Sequence, residues 1–127
     1  MTNKNTAFKD ILSYNFEQAR GETHNLVAVM MEHQHMSVQE AIDYATEVCI
    51  ASIQKFKQTR DVVPSFNDPA LDSAVEKYVE GLQDWVFGAI HASYDCERYF
   101  GKDAAAARQG GTVILLPKHK EDSYVRN

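Results

Sequence analysis

The sequence predicts an all-α protein, an antiparallel helical bundle. Three observations carry that prediction. Apolar residues recur at helical spacing almost from end to end. Two segments open on helix-start signals, "SVQE" at 37–40 and "NDP" at 67–69. The prolines fall in the connections or at a helix start, at 64, 69 and 117.

The first helix is expected from Thr6 to Glu32, with Phe8, Ile11, Leu12, Phe16, Ala19, Leu26, Val27, Val29 and Met30 on its apolar side. Gly21 inside it marks a bend or a close helix contact, since glycine costs about 1 kcal/mol against alanine in a helix. "HQHM" links it to the second helix, which starts at the Ser37–Glu40 capping box and ends near Arg60. Its buried stripe is Val38, Ala41, Ile42, Ala45, Val48, Cys49, Ser52, Ile53 and Phe56. "VVPSFNDP" is a loop. The third helix has Asp68 as N-cap and Pro69 at its first position, and should run to Gly101. Its stripe is Leu71, Val75, Tyr78, Val79, Leu82, Trp85, Val86, Ala89, Ile90 and Tyr94. At about 33 residues it is near 50 Å long. Phe87 and Phe100 lie off that stripe, and faces this wide belong to a larger bundle. "KDAAAARQGG" is a short helix or loop, "TVILLP" an extended apolar segment, and residues 110–127 a partly mobile tail. The whole reads as one domain, residues 1–127.

Composition narrows the function. A net charge of −5 without a basic block argues against nucleic acid. The longest apolar run is far too short for a transmembrane helix. "MTNKNTAF" has no apolar h-region, so no secretory signal is expected. Cys49 and Cys96 have no CxxC spacing and read as free, buried thiols of a reducing compartment, so a cytoplasmic location is expected.

Lys9, Ser13 and Glu17, in "KDILSYNFE", are four residues apart and share one helix face. A serine hydroxyl and a carboxylate at that spacing can share a hard cation such as Mg²⁺; the same pattern also suits an ordinary solvated stripe. Arg98 and Tyr99, in "DCERYFG", can bind a phosphate bidentately, or be a surface arginine beside a core tyrosine. His33 and His35 diverge by about 200° on a helix, which disfavours shared metal ligation. His91 reads as a packed or capped imidazole, and Glu40, Asp43 and Tyr44 form no catalytic group. Phe8, Trp85, Phe87 and Tyr94 either line a cavity or fill the core. There is no glycine-rich phosphate loop, G-x-S-x-G or H-E-x-x-H.

Together these stretches resemble a family. "KDILSYNFEQARGETHN" is similar to the second metal motif of fungal class I terpene synthases, (N/D)D-x-x-S-x-x-x-E, and closely to its basidiomycete sesquiterpene synthase form. "DWVFGAIHASYDCERYFG" resembles the tryptophan-containing helix of the same enzymes, which ends in an Arg-Tyr pair. "GGTVILLPK" is similar to their C-terminal extension. The resemblance covers about residues 10 to 118, with both motifs in order. It implies the all-α class I terpenoid synthase fold and Mg²⁺-dependent ionisation and cyclisation of farnesyl diphosphate or a related prenyl diphosphate. It also implies Ser13 and Glu17 as metal ligands and Arg98 and Tyr99 as diphosphate contacts, with Asp10 supporting the site.

Two departures stand against the family pattern. Position 9, Asn or Asp in the motif, is Lys9. An ammonium has three donors and no acceptor, so it cannot ligate Mg²⁺. At about 4 Å from a divalent ion it would oppose it by roughly 8 kcal/mol at an effective dielectric near 20. The family's aspartate-rich motif is also missing from the sequence. The expectation is a C-terminal fragment, from a truncated or misassembled gene model beginning at an exon edge, with doubtful activity alone. Leu12, Phe16, Trp85 and Phe87 are then expected in an exposed patch that favours self-association. The alternative is a non-enzymatic helical binding protein that presents an apolar face to a partner chain or lipid.

Overall fold

The computed structural model describes residues 4–119, and no strand occurs among them. Helices α1 (Lys4–Ala19), α2 (Leu26–Gln34) and α3 (Val38–Asp61) pack on one another. Helix α4 (Pro69–Asp95) follows a loop, then α5 (Glu97–Phe100), a single 3₁₀ turn (Gly101–Asp103) and α6 (Ala104–Arg108). The all-α expectation holds.

The first expected helix is two helices. Gly21 takes φ +74, the left-handed conformation that a glycine adopts without a Cβ clash. Its N–H donates to the Gln18 carbonyl and the Glu22 N–H to the Glu17 carbonyl, a Schellman stop for α1. Asn25 then opens α2, its Oδ1 accepting from the Val27 N–H at 2.8 Å. The apolar periodicity resumes at Leu26, which hides the stop in the sequence.

Helix α3 matches its expected capping box in full: Glu40 N–H donates to Ser37 Oγ, and Ser37 N–H to Glu40 Oε2. Ala41 and Ala45 are fully buried against Tyr14 and Val27, and the rest of the stripe is half-buried. Small residues on α3 let Tyr14 enter the core, where its hydroxyl donates to Met31 Sδ at 3.3 Å.

Helix α4 starts as expected, with Asp68 Oδ1 accepting from Ala70 and Leu71 N–H groups and Pro69 at the first turn. It departs from expectation in two ways. It ends at Asp95 rather than Gly101, because Cys96 is extended at φ −100, ψ 149. The kink lays Phe100 against Tyr94, rings parallel with centroids 5.5 Å apart, and brings α5 against α1. And α4 has no fully buried residue: Val75, Val79, Val86 and Ile90 are half-buried, while Leu71, Tyr78, Leu82 and Trp85 are exposed. Phe16, Trp85 and Phe87 join the exposed set as expected, but Leu12 does not; it is only 2% exposed, inside the α1 face of the core. Cys96 is likewise exposed rather than buried, and Cys49 is half-buried.

After α6 the chain runs extended along α1. Asn15 clamps it with both amide atoms, Nδ2 donating to the Ile114 carbonyl and Oδ1 accepting from Leu116 N–H at 2.7 Å. Gln18 Nε2 donates to the Leu116 carbonyl, and His119 N–H to the Ala19 carbonyl. Of the expected tail, residues 120–127 lie outside the described residues.

Candidate diphosphate and cation site

Ser13 and Glu17 do not form a solvated stripe. They are 4% and 7% exposed, and Asp10 beside them is 5% exposed. Three polar side chains within eight residues of one helix are buried because the α1–α2 turn folds back over them. Asn25 is the hinge of that arrangement. Its Nδ2 donates to Glu17 Oε2 at 2.9 Å and to the Asp10 carbonyl at 2.8 Å, while its Oδ1 caps α2. Asp10 Oδ2 accepts the Leu26 N–H at 2.8 Å, so this carboxylate also sits at the N-terminus of α2, where the helix dipole favours negative charge.

The other oxygen of Glu17, Oε1, faces Lys9 Nζ at 3.3 Å. Burial pushes the Glu17 carboxyl up, yet Asn25, Ser13 and Lys9 together hold it below its ordinary value. The Ser13 hydroxyl lies near enough to favour the Glu17 carboxylate, although no well-formed hydrogen bond joins the two. Asp10 goes the other way: burial raises its carboxyl despite the Leu26 N–H and Lys9. Among the described residues, two buried side-chain atoms are left without partners, Asp10 Oδ1 and Ser13 Oγ. Buried polar atoms normally find partners, so the pair marks room for another polar group.

Next to this pocket lies a cleft of about 680 Å³ between α1, α3 and α4. Phe8, Leu12, Phe56, Trp85, Phe87 and Ile90 make it apolar; Lys9 and Tyr99 share its wall. Phe8, Trp85 and Phe87 thus take the cavity-lining alternative, whereas Tyr94 is tied up with Phe100. Arg98 is exposed on α5, its guanidinium 5.5 Å from the Tyr99 ring centroid. The structure therefore brings Tyr99 and Lys9 to one cleft and joins Lys9 to Glu17. Among the described residues, Arg98 makes no hydrogen bond or ion pair to Ser13 or Glu17. His91 is exposed, 2.6 Å from Arg108 Nη2 through Nδ1, rather than packed in the core.

Sequence reasoning missed Asn25. Its signal was an Asn immediately before the apolar period resumes at Leu26, the position of an N-cap. As for a divalent cation, Ser13 Oγ is a free, buried oxygen and Glu17 a carboxylate, both suited to one. Lys9 is not suited: its ammonium already sits on Glu17 Oε1. Among the described residues no group of three or more His, Cys, Asp or Glu is arranged to hold a metal ion.

Helices with a buried acid–amide pocket beside an apolar cleft define a class that comparison with known families makes explicit. Residues 5–55 match the C-terminal metal-binding domain of terpene synthase family 2. Over this stretch the chain is similar to terpene synthases, and the relatives it resembles over most of its length are basidiomycete sesquiterpene synthases. A sesquiterpene synthase of Cyclocybe aegerita is 44% identical over 108 residues, 85% of this chain and 30% of the relative. Alpha-muurolene synthase of Coprinopsis cinerea is 41% identical over 107 residues, 84% of this chain and 25% of the relative. Sesquiterpene synthase 3 of Postia placenta is 47% identical over 108 residues, 85% of this chain and 29% of the relative. The chain thus spans under a third of the length of these relatives. No helix among the described residues is long and apolar enough to cross a membrane.

Proposed function

We propose that this chain forms the part of a Mg²⁺-dependent sesquiterpene-forming lyase that handles a prenyl diphosphate, with farnesyl diphosphate as its substrate. The observation that carries the reading is the buried Ser13 hydroxyl, free of partners, beside the Glu17 carboxylate and one residue from the apolar cleft wall at Leu12. Ser13 and Glu17 are the oxygens that would face Mg²⁺ on α1 if the Lys9 ammonium withdrew from Glu17 Oε1. Such an ion, when bound, neutralises the charge that grows on diphosphate as its carbon–oxygen bond breaks. Arg98 offers a planar fork of donors to the diphosphate oxygens, and the Tyr99 phenol donates from the cleft wall. Phe8, Trp85 and Phe87 supply aromatic faces that hold the prenyl chain, keep water away and stabilise a carbocation. A cytoplasmic, reducing setting fits the free thiols of Cys49 and Cys96.

Trp85 is the sole tryptophan and lines the cleft, so its fluorescence reads occupancy directly. Titrating farnesyl diphosphate with Mg²⁺ should quench it saturably. Arg98→Ala should weaken that response by about tenfold or more, the loss of one charge-assisted hydrogen bond. Unchanged affinity in that variant would remove Arg98 from the site; no quenching at all would remove the substrate reading.

A further inference from the structure

The pocket on α1 already contains a cation. Lys9 Nζ lies 3.3 Å from Glu17 Oε1, and the other carboxylate oxygen is held by Asn25, which is 2% exposed. Glu17 is therefore fixed from both sides. The Lys9 side chain is 55% exposed, against 10% for Glu17. Its stem lies on the cleft wall and its ammonium at the boundary between the acid pocket and the cleft. The geometry points to Lys9 as a built-in replacement for a divalent ion: its ammonium neutralises Glu17 and is the group that meets a diphosphate-type anion entering the cleft. This rests on the prenyl diphosphate reading for the identity of the anion, but not for the exclusion of the metal.

The chemistry supports the exchange. An ammonium carries three donors, of which Glu17 takes one. The remaining two are free for Ser13 Oγ or for anion oxygens. A divalent ion arriving at Glu17 Oε1 would have to displace the ammonium or stand beside it, like charge against like. The orphaned Ser13 Oγ and Asp10 Oδ1, both on residues more than nine-tenths buried, show that the pocket has oxygen donors to spare. With the Lys9 ammonium on Glu17 Oε1, a second cation there meets like charge.

The test uses Mn²⁺ alone as the metal probe, read by electron paramagnetic resonance on the full chain, and inorganic diphosphate as the anion probe, read by calorimetry without metal. The wild-type chain should bind inorganic diphosphate without metal and bind Mn²⁺ at least about tenfold more weakly than Lys9→Asn, the scale on which one ligand position acts. Lys9→Asn should in turn lose most of its metal-free diphosphate affinity. Lys9→Met keeps the stem and deletes only the charge; it should gain Mn²⁺ affinity too, and stands in if Lys9→Asn fails to fold by circular dichroism. Equal Mn²⁺ affinity in wild type and a folded, charge-deleted variant overturns the inference, as does metal-free diphosphate binding that ignores the substitution. If Trp85 responds to farnesyl diphosphate while Mn²⁺ binding is indifferent to Lys9, the ammonium replacement alone falls. If Trp85 is silent while Lys9→Asn gains Mn²⁺, the substrate assignment falls and the ionic replacement stands.

Discussion

Asn25 Nδ2 donates to Glu17 Oε2 at 2.9 Å, while Asn25 Oδ1 caps α2 through the Val27 N–H. One side chain thus ties the start of α2 to the acid pocket of α1. The carboxylate that faces Lys9 is held in place by the same residue that ends the α1–α2 turn. Site geometry and local folding share this contact.

Asn25→Ala should therefore do more than remove a cap. The lost N-cap costs about 1 kcal/mol. Leaving the buried Glu17 oxygen without its donor adds about 1–3 kcal/mol. A total near 2–4 kcal/mol should appear as a lower urea midpoint. Asn25→Asp keeps the cap but sets two carboxylates face to face, and should destabilise at neutral pH while recovering in acid. A loss below about 1 kcal/mol in Asn25→Ala would show that the link to Glu17 carries no stability.

The two buried carboxyls should pull stability in opposite directions with pH. Glu17 titrates below its ordinary value in the folded chain, so its contribution is present above the unfolded value of 4.5 and is lost as pH falls through the folded one. Asp10 titrates above 3.8, so its contribution is present below that value and is lost as pH rises through the folded one. Wild type should exceed Glu17→Gln by a margin that shrinks on acidification. Asp10→Asn should gain on wild type as pH rises, because the amide oxygen still accepts the Leu26 N–H. Urea midpoints at several pH values across the acid range settle both signs.

The helical class and the caps at Ser37 and Asp68 were legible because each depends on residues four or fewer apart. Ser13 and Glu17 were legible as a shared face for the same reason. Their burial was not, because it depends on Asn25 and the fold-back at Gly21, and Gly21 alone is compatible with a bend. The break at Cys96 was hidden for a different reason. Nothing in "SYDCERYFG" forbids a continuous helix, and the kink is favoured by the Tyr94–Phe100 stack and the contact of α5 with α1, both tertiary. Periodicity states which side of α4 is apolar, not what lies opposite; the exposure of Trp85 and Phe87 was expected only through the family resemblance, and that of Leu71, Tyr78 and Leu82 was not anticipated.

The segment along α1 hangs on Asn15. Its amide makes one donor and one acceptor bond to the extended chain, at Ile114 and Leu116. Asn15→Ala deletes both, at about 0.5–1.5 kcal/mol each. Protection of the Leu116 amide against hydrogen exchange should drop by about ten- to a hundredfold, with tryptic cleavage after Lys118 accelerated and the α3 amides unaffected. Unchanged exchange at Leu116 would show that Gln18 and Ala19 suffice to hold the extended segment.

The chain alone should not turn over farnesyl diphosphate. The Ser13–Glu17 pocket on α1 carries an ammonium against the carboxylate that would meet the metal. Hexane extracts of incubations with Mg²⁺ should show no terpene above a boiled control. Any product above that control would mean that diphosphate departure here needs fewer divalent ions than the family resemblance implies.

Exposure along α4 leads to the last prediction. Trp85 is 60% exposed and Tyr78 68%, with Phe16 and Phe87 also open to water. Each large side chain left in water forgoes about 1.5–3 kcal/mol of burial. A face of this kind recruits apolar surface from solution, so the chain should bind hydrophobic dyes and sediment faster as its concentration rises. Trp85→Ser with Phe87→Ser should abolish both effects and leave the melting midpoint nearly unchanged, since exposed positions contribute within about 0.5 kcal/mol. Leu12→Ala is the counterpart. It lies on the same cleft wall but is buried, and truncating it should cost about 2–5 kcal/mol. The contrast separates an open face from a packed one. If the Trp85 and Phe87 double variant lost as much stability as Leu12→Ala, α4 would be packed in solution, and the wide apolar face would belong to the core of this chain rather than to a surface awaiting a partner.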